Sequence, residues 1–199
     1  MLKRILALSV VFLLASSVAY ATVVRNRVTI KGSDTMVIMV QRLAEEYMGK
    51  FRGKVIQVSG GGSGVGIAAL INKTTDIANA SRQIKDSERN AIKKAWGKDP
   101  REFKVALDGI TIYVHPDNPV KDLTLAQLKD IFTGKITSWK GLGWEDKPII
   151  IYTRENSSGT YVFFKEHVLL NQDYTRSAQS MPGTASVVNA VSQEKYGIG

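Results

Sequence analysis

Three short stretches of the chain combine glycine with small hydroxyl residues: Gly32-Ser33-Asp34-Thr35, Ser59-Gly60-Gly61-Gly62-Ser63-Gly64, and Ser157-Ser158-Gly159-Thr160. Each follows a β-branched run and precedes an apolar-periodic one, so each reads as a turn from a strand into a helix. Such a turn suits a negatively charged group. The first N–H groups of a helix have no partner within it, and its dipole is positive at that end. Glycine lets an oxyanion approach the backbone, and Ser and Thr hydroxyls add donors that rotate to fit. Arg154, four residues before Ser158, can add a charged fork of N–H donors. Ser81-Arg82 follows a further short strand and offers a fourth contact. One such turn alone is no more than a helix cap. Three of them with Arg154 point to an oxyanion receptor.

Other chemistries find less support. The glycine run VSGGGSGVG at 58–66 lacks the third glycine of a dinucleotide fingerprint and the Lys-Ser/Thr of a phosphate loop. It also fails the nucleophile elbow around Ser63, because position 65 is Val. The absence of Cys removes thiolate metal sites and disulfides, and two His leave little for a transition metal. No metal or cofactor is therefore expected. His115 before a Pro turn and His167 in a charged helix read as solvated or packed groups. A secreted phosphatase acting through Ser63 or Ser158 is the alternative in the enzyme class, but no base stands in a recognised local arrangement near either. Lys93, Lys94 and Lys98 read as a solvated helix face. Without aromatics interleaved in a basic stripe, no nucleic-acid partner is expected. The formal charge of +9 suits an anionic partner without selecting one.

The elements that must position these groups follow from periodicity and caps. Strands are predicted over 28–30, 54–58, 76–80 and 147–153, and a long one over 103–115 is broken at Asp108-Gly109. Helices are predicted over 36–48, 65–72, 86–96, 125–132 (with Thr124 as cap), 160–169 and 185–194. Trp139 and Trp144, beside a glycine-rich loop, read as packing residues. Strands alternating with helices imply an α/β fold with mostly parallel sheets, and the break at Asp108-Gly109 is a candidate crossing between lobes. With 199 residues and 44% hydrophobic content, the chain can bury a core in one generous domain or two small lobes. Tyr196-Gly197-Ile198-Gly199 reads as a strand just beginning.

Residues 1–21 have the pattern of a signal peptide: Lys3 and Arg4, an apolar run over 5–15, then Ala19-Tyr20-Ala21. An apolar run of 11 residues falls short of the roughly 20 that a spanning helix needs. The mature protein is expected to be periplasmic or secreted after cleavage near Ala21.

GSDT at 32–35, SGGGSGVGI at 59–67, DIANASR at 76–82, IFTGKITSW at 131–139 and TRENSSGT at 153–160 occur in this order. Together they resemble the phosphate-binding proteins of bacterial ABC phosphate importers, which have the type II periplasmic binding protein fold. The resemblance implies mixed, mostly parallel sheets flanked by helices in two lobes, here 22–108 and 109–195, closing on a dehydrated phosphate. It implies that 196–199 begin a strand returning to the first lobe, and that further chain completes that lobe. Carried over by position, Thr35, Ser63, Ser81, Arg82, Arg154, Asn156, Ser158, Gly159 and Thr160 are the expected phosphate contacts. Arg82 and Asn156 stand where family members carry aspartates, so Asp34 is a candidate substitute acceptor for a ligand proton. The partners implied are inorganic phosphate, or another tetrahedral oxyanion, and an ABC permease in the inner membrane, with the receptor a monomer. A surface protein that has kept the fold but lost transport is the alternative outside catalysis.

Overall fold

The computed structural model describes residues 26–199, and the leader reading for 1–21 lies outside them. Strand β1 (Arg27–Gly32) lies between β2 (Val55–Ser59) and β3 (Ile77–Asn79), all parallel. Helix α1 (Asp34–Lys50) buries Val40 and Ala44. Helix α2 (Ser63–Ile71) is apolar over nearly its whole length and buries Ser63, Gly66, Ile67 and Ala69. Helix α3 (Asp86–Trp96) opens with Asp86 and Glu88, closes with Lys93 and Lys94, and ends on Gly97 in the left-handed region at φ 72°. Acids at the start and bases at the end complement the helix dipole.

The second lobe repeats the plan. Strand β4 (Ile150–Arg154) lies between β5 (Gln179–Met181) and β6 (Gly197–Ile198), again parallel. Helix α4 (Leu125–Phe132) has the reciprocal cap that its sequence calls for. Thr124 Oγ1 accepts from Gln127 N at 3.2 Å, and Gln127 Oε1 accepts from Thr124 N at 2.9 Å. Helices α5 (Gly159–His167) and α6 (Gly183–Gln193) complete the lobe. Ile131, Trp139, Leu169 and Ile198 are wholly buried, and the Trp139 indole donates to the Tyr196 carbonyl at 3.0 Å. Trp139 is thus a core residue, with Trp144 edge-on against it.

Three expectations need correction. The strand predicted over 103–115 shrinks to a single antiparallel bridge, Val114 with Ile198. Its β-branched sequence finds no ladder partner among the described residues, and Leu107 is 99% exposed. Residues 196–199 do not start a strand of the first lobe. Gly197 and Ile198 pair with Ile150 and Ile151 in the second sheet, and Gly199 exchanges two backbone bonds with Tyr113. The polar stretch before α6 contains β5, which no periodicity signalled.

Candidate functional site

The predicted turns meet at the carboxyl ends of the central strands. Gly32 pairs with Asn79 across β1 and β3, and Ser33 N donates to the Asn79 carbonyl at 3.0 Å. This places the Ser33 hydroxyl 2.9 Å from both Thr35 Oγ1 and Ser81 Oγ. Ser63, the first residue of α2, accepts from Ser81 N at 3.1 Å, and its hydroxyl lies 3.3 Å from that of Ser81. Four hydroxyls therefore form one continuous chain at the starts of α1 and α2. Ser33 and Ser63 are 2% and 0% exposed.

The second lobe presses directly on this chain. Gly64 N donates to the Ser157 carbonyl at 2.9 Å. Gly62 sits at φ 92°, and a β-carbon there would fall 2.6 Å from the same carbonyl oxygen. A side chain at Gly62 would meet both obstacles, backbone strain and a steric clash. Gly159, the first residue of α5, packs against the hydroxyls of Ser63 and Ser81 so closely that a β-carbon would collide with both. Ser158 caps α5 by accepting from Tyr161 N at 3.3 Å and is itself buried.

Strand β4 delivers Arg154 to the same place, 7% exposed. Its guanidinium donates to Asp34 across the lobes at 2.8 Å, to Thr184 at 3.0 Å, and to both oxygens of Glu155 at 3.2 and 2.9 Å. The other oxygen of Asp34 accepts from Gly61 N at 2.8 Å. Burial pushes the Glu155 carboxyl up, but the hydrogen bonds and charge of Arg154 outweigh it and hold it below its ordinary value.

Of the residues singled out from sequence, Thr35, Ser63, Ser81, Arg154, Ser158, Gly159 and Asp34 converge. Thr160, half-buried on the first turn of α5, lines a groove with Arg154 and Thr184. Two others do not join them. The Arg82 guanidinium is held by Glu88 at 2.6 and 2.9 Å and by the Gln83 carbonyl, with no bond to the hydroxyl chain. Burial raises the Glu88 carboxyl, and the bonds from Arg82 and Lys85 more than reverse this. Asn156 is exposed and makes no side-chain hydrogen bond among the described residues. Sequence reasoning placed Ser33 in the first turn without naming it as a contact, and missed Glu155 and Thr184. Glu155 adjoins Arg154, which is a usable signal, whereas Thr184 lies 30 residues away and carried none.

The arrangement offers hydroxyls, helix-start N–H groups, one arginine and one carboxylate to a group held between two lobes. It is suited to binding an oxyanion, because each serine hydroxyl bonds only another hydroxyl or a backbone group. Among the described residues neither histidine bonds any of these serines, and no cluster of acids and histidines could hold a metal ion. No described helix is long and apolar enough to cross a membrane.

A family model described as the PBP superfamily domain matches residues 17–199. The phosphate-binding protein PstS of Pseudomonas aeruginosa is 37% identical over 180 residues, 84% of this chain and 56% of that protein. PstS of Staphylococcus epidermidis is 39% identical, over 85% of this chain and 52% of its own length. Among solved structures, a putative phosphate ABC transporter substrate-binding protein from Clostridium perfringens with bound phosphate superposes with a TM-score of 0.80 at 37% identity, over 87% of this chain and 69% of that one. An ABC-type phosphate transport receptor from Vibrio cholerae does so at 0.65 and 31%, over 87% and 70%. The chain spans about half the length of these curated relatives.

Proposed function

The chain belongs to the PBP superfamily, and from that premise we propose that it is an exported receptor that captures inorganic phosphate between its lobes and delivers it to an ABC import permease. The observation that carries this reading is the convergence of Thr35, Ser63, Ser81, Ser158 and Gly159 with Asp34 and Arg154 at the facing ends of the two sheets. Phosphate-binding names among the relatives support the same ligand. With Ser63 and Ser158 almost completely buried, the ligand reaches its donors only when the lobes part, and it leaves its water behind when they close. Asp34 stands against Arg154 as an acceptor for the proton of a hydrogen phosphate. A fully ionised sulfate has no proton to offer there and meets the carboxylate as a like charge. Neither Asn156 nor the Arg82 guanidinium has a part in this selection. The leader is cleaved near Ala21, and the receptor works as a monomer in the periplasm or outside the cell.

Isothermal titration of residues 22–199 with phosphate, repeated in excess sulfate, tests the proposal. Saturable binding that survives sulfate is expected. A folded sample that gives no binding heat with phosphate would overturn it.

A further inference from the structure

We infer that Glu155 is a positioning residue that fixes which edge of Arg154 faces the cleft; this deepens the oxyanion-receptor reading and rests on it. A guanidinium has five N–H donors in one plane. Glu155 takes the side edge, with Oε2 on Nε at 3.2 Å and Oε1 on Nη2 at 2.9 Å. The second Nη2 hydrogen goes to Asp34 and one Nη1 hydrogen to Thr184. Among the described residues a single Nη1 hydrogen is left, so Nη1 is the nitrogen that can turn to a ligand.

Two further bonds make this clamp more than a neighbour pair. Glu155 Oε2 also accepts from Gly183 N at 3.3 Å, the first residue of α6, which supplies Thr184 as well. The Glu155 carbonyl accepts from Ser158 N at 2.9 Å, immediately before α5. One residue thereby sets both donor groups of the second lobe: its carboxylate aims the fork, and its backbone shapes the turn carrying Ser158 and Gly159. A carboxylate suits this role because it accepts on both oxygens at once. An amide of the same shape must present N–H to one of the guanidinium nitrogens.

Two readouts on the whole mature chain test the assignment. The first is the NMR signal of the Arg154 Nε–H, assigned by its loss in Arg154→Lys and measured without ligand. Slow exchange with water at neutral pH is expected in the native chain, and fast exchange in Glu155→Gln while circular dichroism shows that variant still folded. The second is phosphate affinity. It should fall by about tenfold or more in Glu155→Gln, as when the support of a ligating group is removed, and recover in part in Glu155→Asp. An Nε–H that exchanges rapidly in the native chain, or native exchange and affinity in Glu155→Gln, would overturn the inference. If the native chain fails to bind phosphate, the receptor reading fails, while the ligand-free signal still decides the role of Glu155.

Discussion

The two lobes share a plan and differ in how well they are packed. Each has three parallel strands, with the central strand ending on a donor loop. In the second, Ile131, Trp139, Leu169 and Ile198 are sealed, and aromatic rings of Phe132, Phe164 and Tyr174 interlock around them. The first buries Ile67 and Ile92 but leaves Leu43 and Tyr47 exposed on α1, Phe51 exposed at its end, and Phe103, Val105 and Leu107 exposed beyond α3. The difference lies in what holds each donor loop among the described residues. In the first lobe, strand ends and hydroxyl contacts hold the loops, whereas the second presents Arg154 from a strand packed on that buried core.

The sharpest way to break the comparison is to damage the second lobe, first in its core and then at its donor loop. Trp139→Ala should destabilise the protein by about 3–5 kcal/mol, through the lost core volume and the indole bond to Tyr196. Chemical denaturation reads it directly. Arg154→Ala should weaken phosphate binding by about 2–5 kcal/mol, as when one member of a buried charged contact is truncated. Calorimetry should show this even if the melting temperature stays within a few degrees.

Acid should act more gently. Glu155 and Glu88 sit below their ordinary values in the fold, so at neutral pH both contribute stability. That contribution is complete above the unfolded value, near 4.5, and is lost as pH falls through the lower folded values. Stability measured against pH should lose part of its acid-side fall in Glu155→Gln. The smallest effect belongs to the open lobe. Leu107→Ser should leave the unfolding free energy unchanged, within about 0.5 kcal/mol, because the side chain it removes is 99% exposed. The same change should reduce the fluorescence of a dye that binds apolar surface.

What the sequence disclosed depended on range. Local signals read well: Thr124 as the cap of α4, the 86–96 bounds of α3, and the glycine-hydroxyl turns that lie together at the strand ends. Features set by distant partners did not. Gln179–Met181 is polar and half-exposed, and it is a strand only because β4 lies beside it. The 103–115 segment has strand residues and lacks a ladder. Arg82 looked like a ligand contact beside Ser81, but Glu88, on the first turn of the next helix, claims its guanidinium. Asn156 occupied an expected contact position, yet Asp34, 120 residues away from Arg154, is the group that meets the arginine.

The central claim is that one oxyanion is shared by the two lobes. Because the sequence has no cysteine, spin labels at Arg42→Cys and Lys140→Cys would report one distance, from α1 to the second lobe, at side chains 79% and 70% exposed. Pulsed electron resonance should show that distance distribution narrowing as phosphate is added, and failing to narrow in the labelled Arg154→Ala chain. Phosphate bound equally well by both chains, with an unchanged distribution in each, would contradict the account.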